Sequence, residues 1–340
     1  MKGRILSEFF TNLSFLLESG MNELTSVELI ENSVQNKKDK KIIGIIKNEL
    51  QEGTNLDECF EKHRKYFDKD YYVYIKAGIS SGNLPEVLRD LAKSLSESSS
   101  IKSGLYTAMI YPSTLLVATF IATIFIFTQI LPQTVTQLQS ISDSELPSIT
   151  IFLLNISNFI IENTLFLIIS IVILGLAISL FVFLNRTLID RLLLKVFILG
   201  NIFKNIDNSY IFTNLSNLIK AGVSISEALE ICYSGISNRY IKKEFYKKIL
   251  VKSKQGYDFA DCILKCSFVS ELDAMCIYTA EKSGKTAEVL YRISQKLEQE
   301  TRLKIKAFTG ILEPISMIIL GLVIGTIAIG VYMPMFSVGF

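Results

Sequence analysis

A single histidine, His63, is all the sequence supplies of the residue most used as general base and metal ligand. A Ser-His-Asp triad or a histidine-rich metal site has at most one ring to draw on. His63 lies in the charged stretch EKHRKYFDKD, where an exposed residue is expected. A complete nucleotide-binding loop is also missing. Gly284-Lys285-Thr286 matches the tail of a P-loop, but that loop needs a glycine five residues earlier, and position 279 is Thr. Cysteine is sparse: Cys59, Cys232, Cys262, Cys266 and Cys276. All five fall in segments expected to face the cytoplasm, where thiols stay reduced, so no disulfide framework is expected. Cys262 and Cys266 are one helical turn apart, yet zinc needs two further ligands and nothing nearby supplies them. They read as small buried hydrophobes. No apolar core with a small-residue cleavage site follows Met1–Glu8, so no secretory signal is expected. Alternating strand patterns with hairpin turns are absent as well.

The most informative absence is of positive charge. No Lys or Arg occurs in the 83 residues between Lys102 and Arg186, and none after Lys306. Net charge is only +2, from 35 basic and 33 acidic residues, so the placement carries the signal. Within the basic-free regions lie the uncharged runs Leu105–Leu131 and Asn163–Asn185, and a third runs from Pro314 to Phe340. Each is long enough to cross a bilayer, which takes about 20 helical residues. By the positive-inside rule, 1–104 and 186–306 face the cytoplasm, and 132–162 and the C-terminal end face the far side. The expected order is a first cytoplasmic domain (1–104), a span (105–131), a far-side or interfacial loop (132–162), and a second span (163–185). A second cytoplasmic domain (186–306) and a third span with the C-terminus (307–340) complete it. Ile151–Ile161 is apolar enough to lie along the interface or lengthen the second span.

The chain also repeats itself. FTNLS at 10–14 recurs at 212–216, a shift of 202. The same shift carries Gly20 to Gly222, Ser81-Gly82 to Ser283-Gly284, Pro112 to Pro314 and Pro132 to Pro334. Between GTNLDEC (53–59) and GYDFADC (256–262) the shift is 203. This is a tandem duplication. SGKTAEVL is then the second copy of SGNLPEVL, with Lys285 where the first copy has Asn83. A phosphate-binding lysine in only one of two equivalent junctions is a poor reading. Gly82 and Gly284 instead end one helix in a left-handed conformation and lead into the next, with Thr286 a plausible cap. Stripes such as Phe9, Leu13, Leu16, Leu17 and Val87, Leu88, Leu91, Leu95 predict helices throughout each copy. Two copies on one side, each ending in a span, require an odd number of unpaired return spans, and 163–185 fills that role. The fold expected is an all-α integral membrane protein: two tandem-duplicated cytoplasmic helical bundles with three transmembrane helices.

SGNLPEVLRDLA and EKSGKTAEVLYRIS, with YPST and EPIS at the membrane entries and ELPSITIFLLNISNF at 145–159, resemble the duplicated domain of the type II secretion F and type IV pilus inner-membrane platform proteins. The short length resembles the smaller members in toxin-coregulated and bundle-forming pilus systems. One departure is that Glu281 precedes the second corner, whereas Ile79 holds that place in the first. The resemblance implies a scaffold in the bacterial inner membrane, with N-terminus cytoplasmic and C-terminus periplasmic. It implies no catalytic role and no cofactor. Its implied partners are a cytoplasmic hexameric assembly ATPase, pilin or pseudopilin, other inner-membrane assembly proteins, the lipid bilayer and further copies of itself. Coupling ATPase motion to subunit incorporation is the implied function. A small oligomeric transporter or permease is the alternative, and it would need polar groups deep in several spans.

Candidate mechanical positions are Gly82, Gly284, Pro112, Pro132, Pro314, Pro334 and Glu313. Glu313 is an acid at the edge of an apolar run, where Tyr111 stands in the first copy. The prolines are expected to set span entry and exit geometry. Charge differs between copies: residues 1–102 hold 15 basic and 16 acidic groups, and residues 186–306 hold 20 and 13. Arg239, Lys242, Lys243, Lys247 and Lys248 concentrate the excess, and suit a lipid surface or an acidic partner. Nucleic acid is not expected, since no recognition motif accompanies the charge.

Overall fold

The computed structural model describes residues 3–67, 69–141 and 148–338, and among them there is no strand. Residues 142–147 of the expected far-side segment, with Gly339 and Phe340, lie outside the described residues. The chain divides into two compact units, Met1–Gly104 with Thr187–Lys304, and Leu105–Arg186 with Ile305–Phe340.

The first unit holds both copies. Copy one comprises α1 (Gly3–Glu18), α2 (Glu23–Ser33), α3 (Lys37–Gln51), α4 (Leu56–Lys62), α5 (Lys69–Ser80) and the start of α6 (Leu84–Phe125). After α7 (Leu131–Ile141), α8 (Ser148–Glu162), α9 (Thr164–Leu184) and α10 (Arg186–Leu193), copy two begins with α11 (Phe197–Lys220) and α12 (Ile225–Gly235). It continues through α13 (Arg239–Phe245), α14 (Val251–Lys254), α15 (Phe259–Ile263), α16 (Glu271–Lys282) and α17 (Thr286–Val338). Equivalent residues start equivalent helices. Asn22 and Ser224 cap α2 and α12 by accepting from Thr25 N–H and Glu227 N–H. Asn36 and Asn238 cap α3 and α13 in the same way. The duplication extends to single hydrogen bonds. Ser7 Oγ donates to Ala92 O at 2.8 Å, and its counterpart Ser209 donates to Ser294 O at 3.3 Å.

The change of shift from 202 to 203 has a structural cause. The 15-residue α3 corresponds to α13, a π-helical turn at Tyr246–Leu250, and α14. One extra residue in an α-helix rotates everything after it by about 100° at 3.6 residues per turn. Looping it out in a π-turn restores the phase. Ile249 and Leu250 stay buried as a result.

The stripes read from the sequence face inward: Phe9, Leu13, Leu88 and Leu91 in copy one, and Leu290 and Ile293 in copy two, are all buried. The two copies do not form separate cores. Their buried side chains merge into one apolar cluster, from Phe10, Ile46 and Phe60 to Phe212, Phe245 and Ile277.

The second unit is apolar and helical. The 42-residue α6 and the 53-residue α17 each begin in the first unit and run on into it. Among the described residues these two helices are long and apolar enough to cross a membrane, α6 being counted together with its continuation to Gln137. The 21-residue α9 carries no charged side chain and is about 31 Å long at 1.5 Å per residue, matching a hydrocarbon core. The segment following the first apolar run is helical rather than loop wherever it is described. A π-turn, Ile126–Ile130, leads into α7, and α8 packs beside it. Phe127, Leu131, Val135, Leu153 and Ile327 form this unit's buried cluster.

Candidate functional site

The Ser-Gly corners are helix ends. Gly82 has φ +69° and Gly284 φ +71°. Asn83 N–H reaches back to Gly78 O at 3.0 Å, and Lys285 N–H to Ala280 O at 2.9 Å. Gly82 and Gly284 N–H groups bond Ile79 O and Glu281 O. These are paired Schellman closures, in which a residue without Cβ takes the left-handed position. The amides that a P-loop would turn towards phosphate are committed to the preceding helix. Thr286, expected as the cap, is instead the first residue of α17. The position before it is Lys285, whose carbonyl accepts from Val289 N–H at 3.1 Å. In copy one, Asn83 Nδ2 donates to Glu86. Glu281, present in only one copy, accepts from Ala260 N–H at 2.7 Å and so caps the short α15.

Pro112 and Pro314 lie in the interiors of α6 and α17, not at helix starts. Pro112 is buried, and Pro314 and Glu313 are exposed. Pro132 is the second residue of α7, directly after the π-turn, and Pro334 lies within α17.

The five cations proposed as a contact face separate into two groups. Lys242 Nζ donates to Ser234 O at 2.8 Å and sits 4.8 Å from the Tyr233 ring centroid. Lys248 Nζ bonds Glu244 Oε1 and Lys265 O, both at 2.6 Å. Both are used inside the lobe. Arg239 and Lys243 of α13 and Lys247 of the π-turn that follows are exposed, about one turn apart, and make no ion pair among the described residues.

Glu244 anchors the inner side of this helix. It is 8% exposed, and Ser267 donates to it through N–H and Oγ, both at 2.7 Å. Burial alone raises its pKa, but the hydrogen bonds from Lys248 and Ser267 prevail and hold the carboxyl below its ordinary value. The folded state therefore binds this proton less readily than the unfolded chain does. Its contribution to stability is complete above the unfolded pKa of about 4.3 and is lost as pH falls through the lowered folded value. Glu244→Gln is expected to flatten the acid limb of a thermal-midpoint profile between neutral pH and about pH 3. An unchanged acid limb would remove Glu244 as its cause.

His63 departs from the exposed position expected of it. It is half-buried, with Nε2 2.6 Å from Glu49 Oε1, rather than free in solvent. α4 ends there and turns the ring back onto α3. Cys59, Cys262 and Cys266 are buried among apolar side chains, and burial pushes the Cys59 and Cys266 thiols up to about 12.

The seam between the copies has no counterpart among the sequence motifs. Tyr74 OH donates to Asn214 Oδ1 at 2.6 Å. Lys93 Nζ donates to Tyr291 OH at 2.5 Å, and Lys220 lies 4.7 Å from the same ring centroid. Arg302 donates to Ser100 Oγ at 2.9 Å, so α6 and α17 touch at positions exactly one repeat apart. No pattern in one dimension reports a contact of this kind. The π-turn did leave a signal, the shift of 203.

The chain is 27% identical to the type IV pilus assembly protein PilC of Thermus thermophilus, covering 98% of this chain and 82% of that one. It is 26% identical to the PilC of Pseudomonas aeruginosa, over 97% and 89%. It is 23% identical to the type II secretion system protein F of Xanthomonas campestris pv. campestris, over 98% and 82%. The family profile described as type II secretion system (T2SS), protein F matches twice, over 9–132 and 211–334, an offset of 202 residues at both ends. With its helical copies closed by paired glycine corners and each running on into an apolar helix, this chain belongs to the type II secretion system protein F family.

Proposed function

We propose that this protein is the inner-membrane platform of a type IV pilus or type II secretion machine, and that it couples a cytoplasmic assembly ATPase to the incorporation of pilin or pseudopilin. Both lobes of the first unit lie in the cytoplasm in this reading, and α6, α9 and α17 cross the membrane. The observation that supports it is the continuity of α6 and α17. A helix transmits displacement along its axis because each turn is hydrogen-bonded to the next. In this reading, force applied to the lobes travels along these two helices to the bilayer. Pro112 and Pro314 each remove one helix hydrogen bond, which makes them the points where such helices bend. Arg239, Lys243 and Lys247 dock on an acidic face of the ATPase.

The test is co-purification of the full-length protein with a co-expressed assembly ATPase, together with filament counts. Reversing all three cations to Glu is expected to abolish co-elution and filaments while leaving the protein in the membrane. Pro112→Ala with Pro314→Ala is expected to preserve co-elution and reduce filaments. Co-elution and assembly untouched by the charge reversal would overturn the docking face. Substrate-dependent flux in liposomes would replace the scaffold with a permease.

A further inference from the structure

The seam between the copies encloses a cavity of about 330 Å³. Asp207, Glu298, Ser209, Thr213 and Asn214 line it from copy two, and Tyr74 from copy one, together with apolar groups. Among the described residues no Lys or Arg lines it, and the formal charges in that lining, Asp207 and Glu298, are negative. The Asp207 carboxylate is engaged, accepting from Ser237 N–H at 3.1 Å and Asn238 N–H at 3.0 Å. Glu298 is 7% exposed, and its one hydrogen-bond partner among the described residues is Ser209 Oγ at 3.0 Å, whose single hydroxyl hydrogen is shared with Ser294 O. Burial, and then the negative charge of Glu97, raises its pKa against the opposing pull of the Ser209 hydrogen bond, Arg302 and Lys93. The two cations outside the wall are turned to Ser100 and Tyr291.

Thr213 supplies an independent observation. It is 4% exposed, and its Oγ1 has no hydrogen-bond partner. Elsewhere in the same lobe, Thr279 and Thr301 donate to the carbonyl four residues back, at 3.0 and 2.7 Å. Thr213 forgoes that bond. It stands one turn from Ser209 on α11, so the orphan hydroxyl and the hydroxyl that holds Glu298 share a helix face about 5–6 Å apart. A buried, unpartnered hydroxyl is costly unless something in the cavity completes it.

A bound metal fits poorly, since the described residues contain no group of three His, Cys, Asp or Glu able to hold one. An anion is opposed by both carboxyls. An ammonium carries one positive charge and three donors, which matches a carboxylate that has no salt-bridge partner among the described residues, beside hydroxyl and amide acceptors. The aliphatic side chains of Leu91 and Leu95, also in the lining, provide a wall for a short alkyl chain.

We propose that this cavity binds a primary alkylammonium group, with the Glu298 carboxylate carrying its charge and Thr213 Oγ1 accepting one of its hydrogens. The carboxylates are peculiar to this seam: the positions equivalent to Glu298 and Asp207 in copy one are Ser96 and Ile5.

The test is isothermal titration of putrescine into the full-length protein in detergent, with sodium chloride at matched ionic strength as the reference. Saturable binding at about one site per chain is expected. Glu298→Gln should weaken it about tenfold or more, the loss of a charge-assisted bond. Thr213→Val, which keeps the shape, should weaken it by a smaller factor. Thermal unfolding of each variant without amine separates lost binding from lost folding, and Thr213→Val stands alone if Glu298→Gln does not fold. No saturable binding to the native protein overturns the proposal, as does equal affinity in folded Glu298→Gln or Thr213→Val.

Discussion

Replacing Gly200 with alanine is expected to destabilise the first unit by about 3 kcal/mol, the upper part of the range for overpacked sites. A Cβ built there lies 2.3 Å from Leu194 O and 2.6 Å from Leu194 C. These are backbone atoms of the turn joining α10 to α11, and they cannot rotate aside as a side chain can. The turn is held in place. Lys195 and Val196 N–H groups bond Leu192 O and Leu193 O, and Gly200 N–H bonds Val196 O at 2.7 Å. Asp190 on α10 also accepts Arg239 N–H at 2.8 Å, which ties that helix to the start of α13. Glycine-to-alanine inside a helix ordinarily gains about 1 kcal/mol. Here the clash outweighs the propensity, so the sign reverses. Thermal and denaturant unfolding in detergent, followed by circular dichroism, measures it. A Gly200→Ala protein at least as stable as the native one would show that the turn is free to move.

The second large effect is expected at Ser157. Leu131 N–H closes the π-turn on Ile126 O. The next donor in that register would be residue 132, bonding Phe127 O, but residue 132 is proline and has no N–H. Ser157 Oγ, on a fully buried side chain of α8, donates to Phe127 O instead. The serine completes a carbonyl that the proline leaves open. In apolar surroundings an unsatisfied carbonyl costs about 1–3 kcal/mol, so Ser157→Ala is expected to lose that much. Pro132→Ala returns an N–H to the helix and should make the serine largely dispensable. A double-mutant cycle on reversible unfolding in mixed micelles should therefore give a coupling of about 1 kcal/mol or more. Identical losses from Ser157→Ala in both backgrounds would end the argument.

Gly82 and Gly284 show what one dimension can carry. A glycine at the end of each helical stripe, at matching places in two copies, was sufficient to predict left-handed closures and to reject a phosphate loop. Thr286 shows the limit. Its residue type suits a cap, but the chain sets the cap one residue earlier, because α17 starts where the Schellman closure releases the backbone. His63 misled for a similar reason. Its neighbours are charged and exposed, yet the end of α4 returns the ring to Glu49. Among the cations, composition alone could not separate Lys242 and Lys248, spent on Ser234, Glu244 and Lys265, from Arg239, Lys243 and Lys247.

By itself the sequence determined the helical class, the duplication, the apolar segments and the family. Each of these is written in periodicity or spacing, which local geometry converts directly into structure. Only the tertiary structure decided that the two copies share one core, that a polar cavity lies along their seam, and that a serine thirty residues from Phe127 completes the carbonyl that a proline leaves open. Those features depend on which surfaces meet, and hydrophobic burial is non-directional, so no spacing along the chain specifies them.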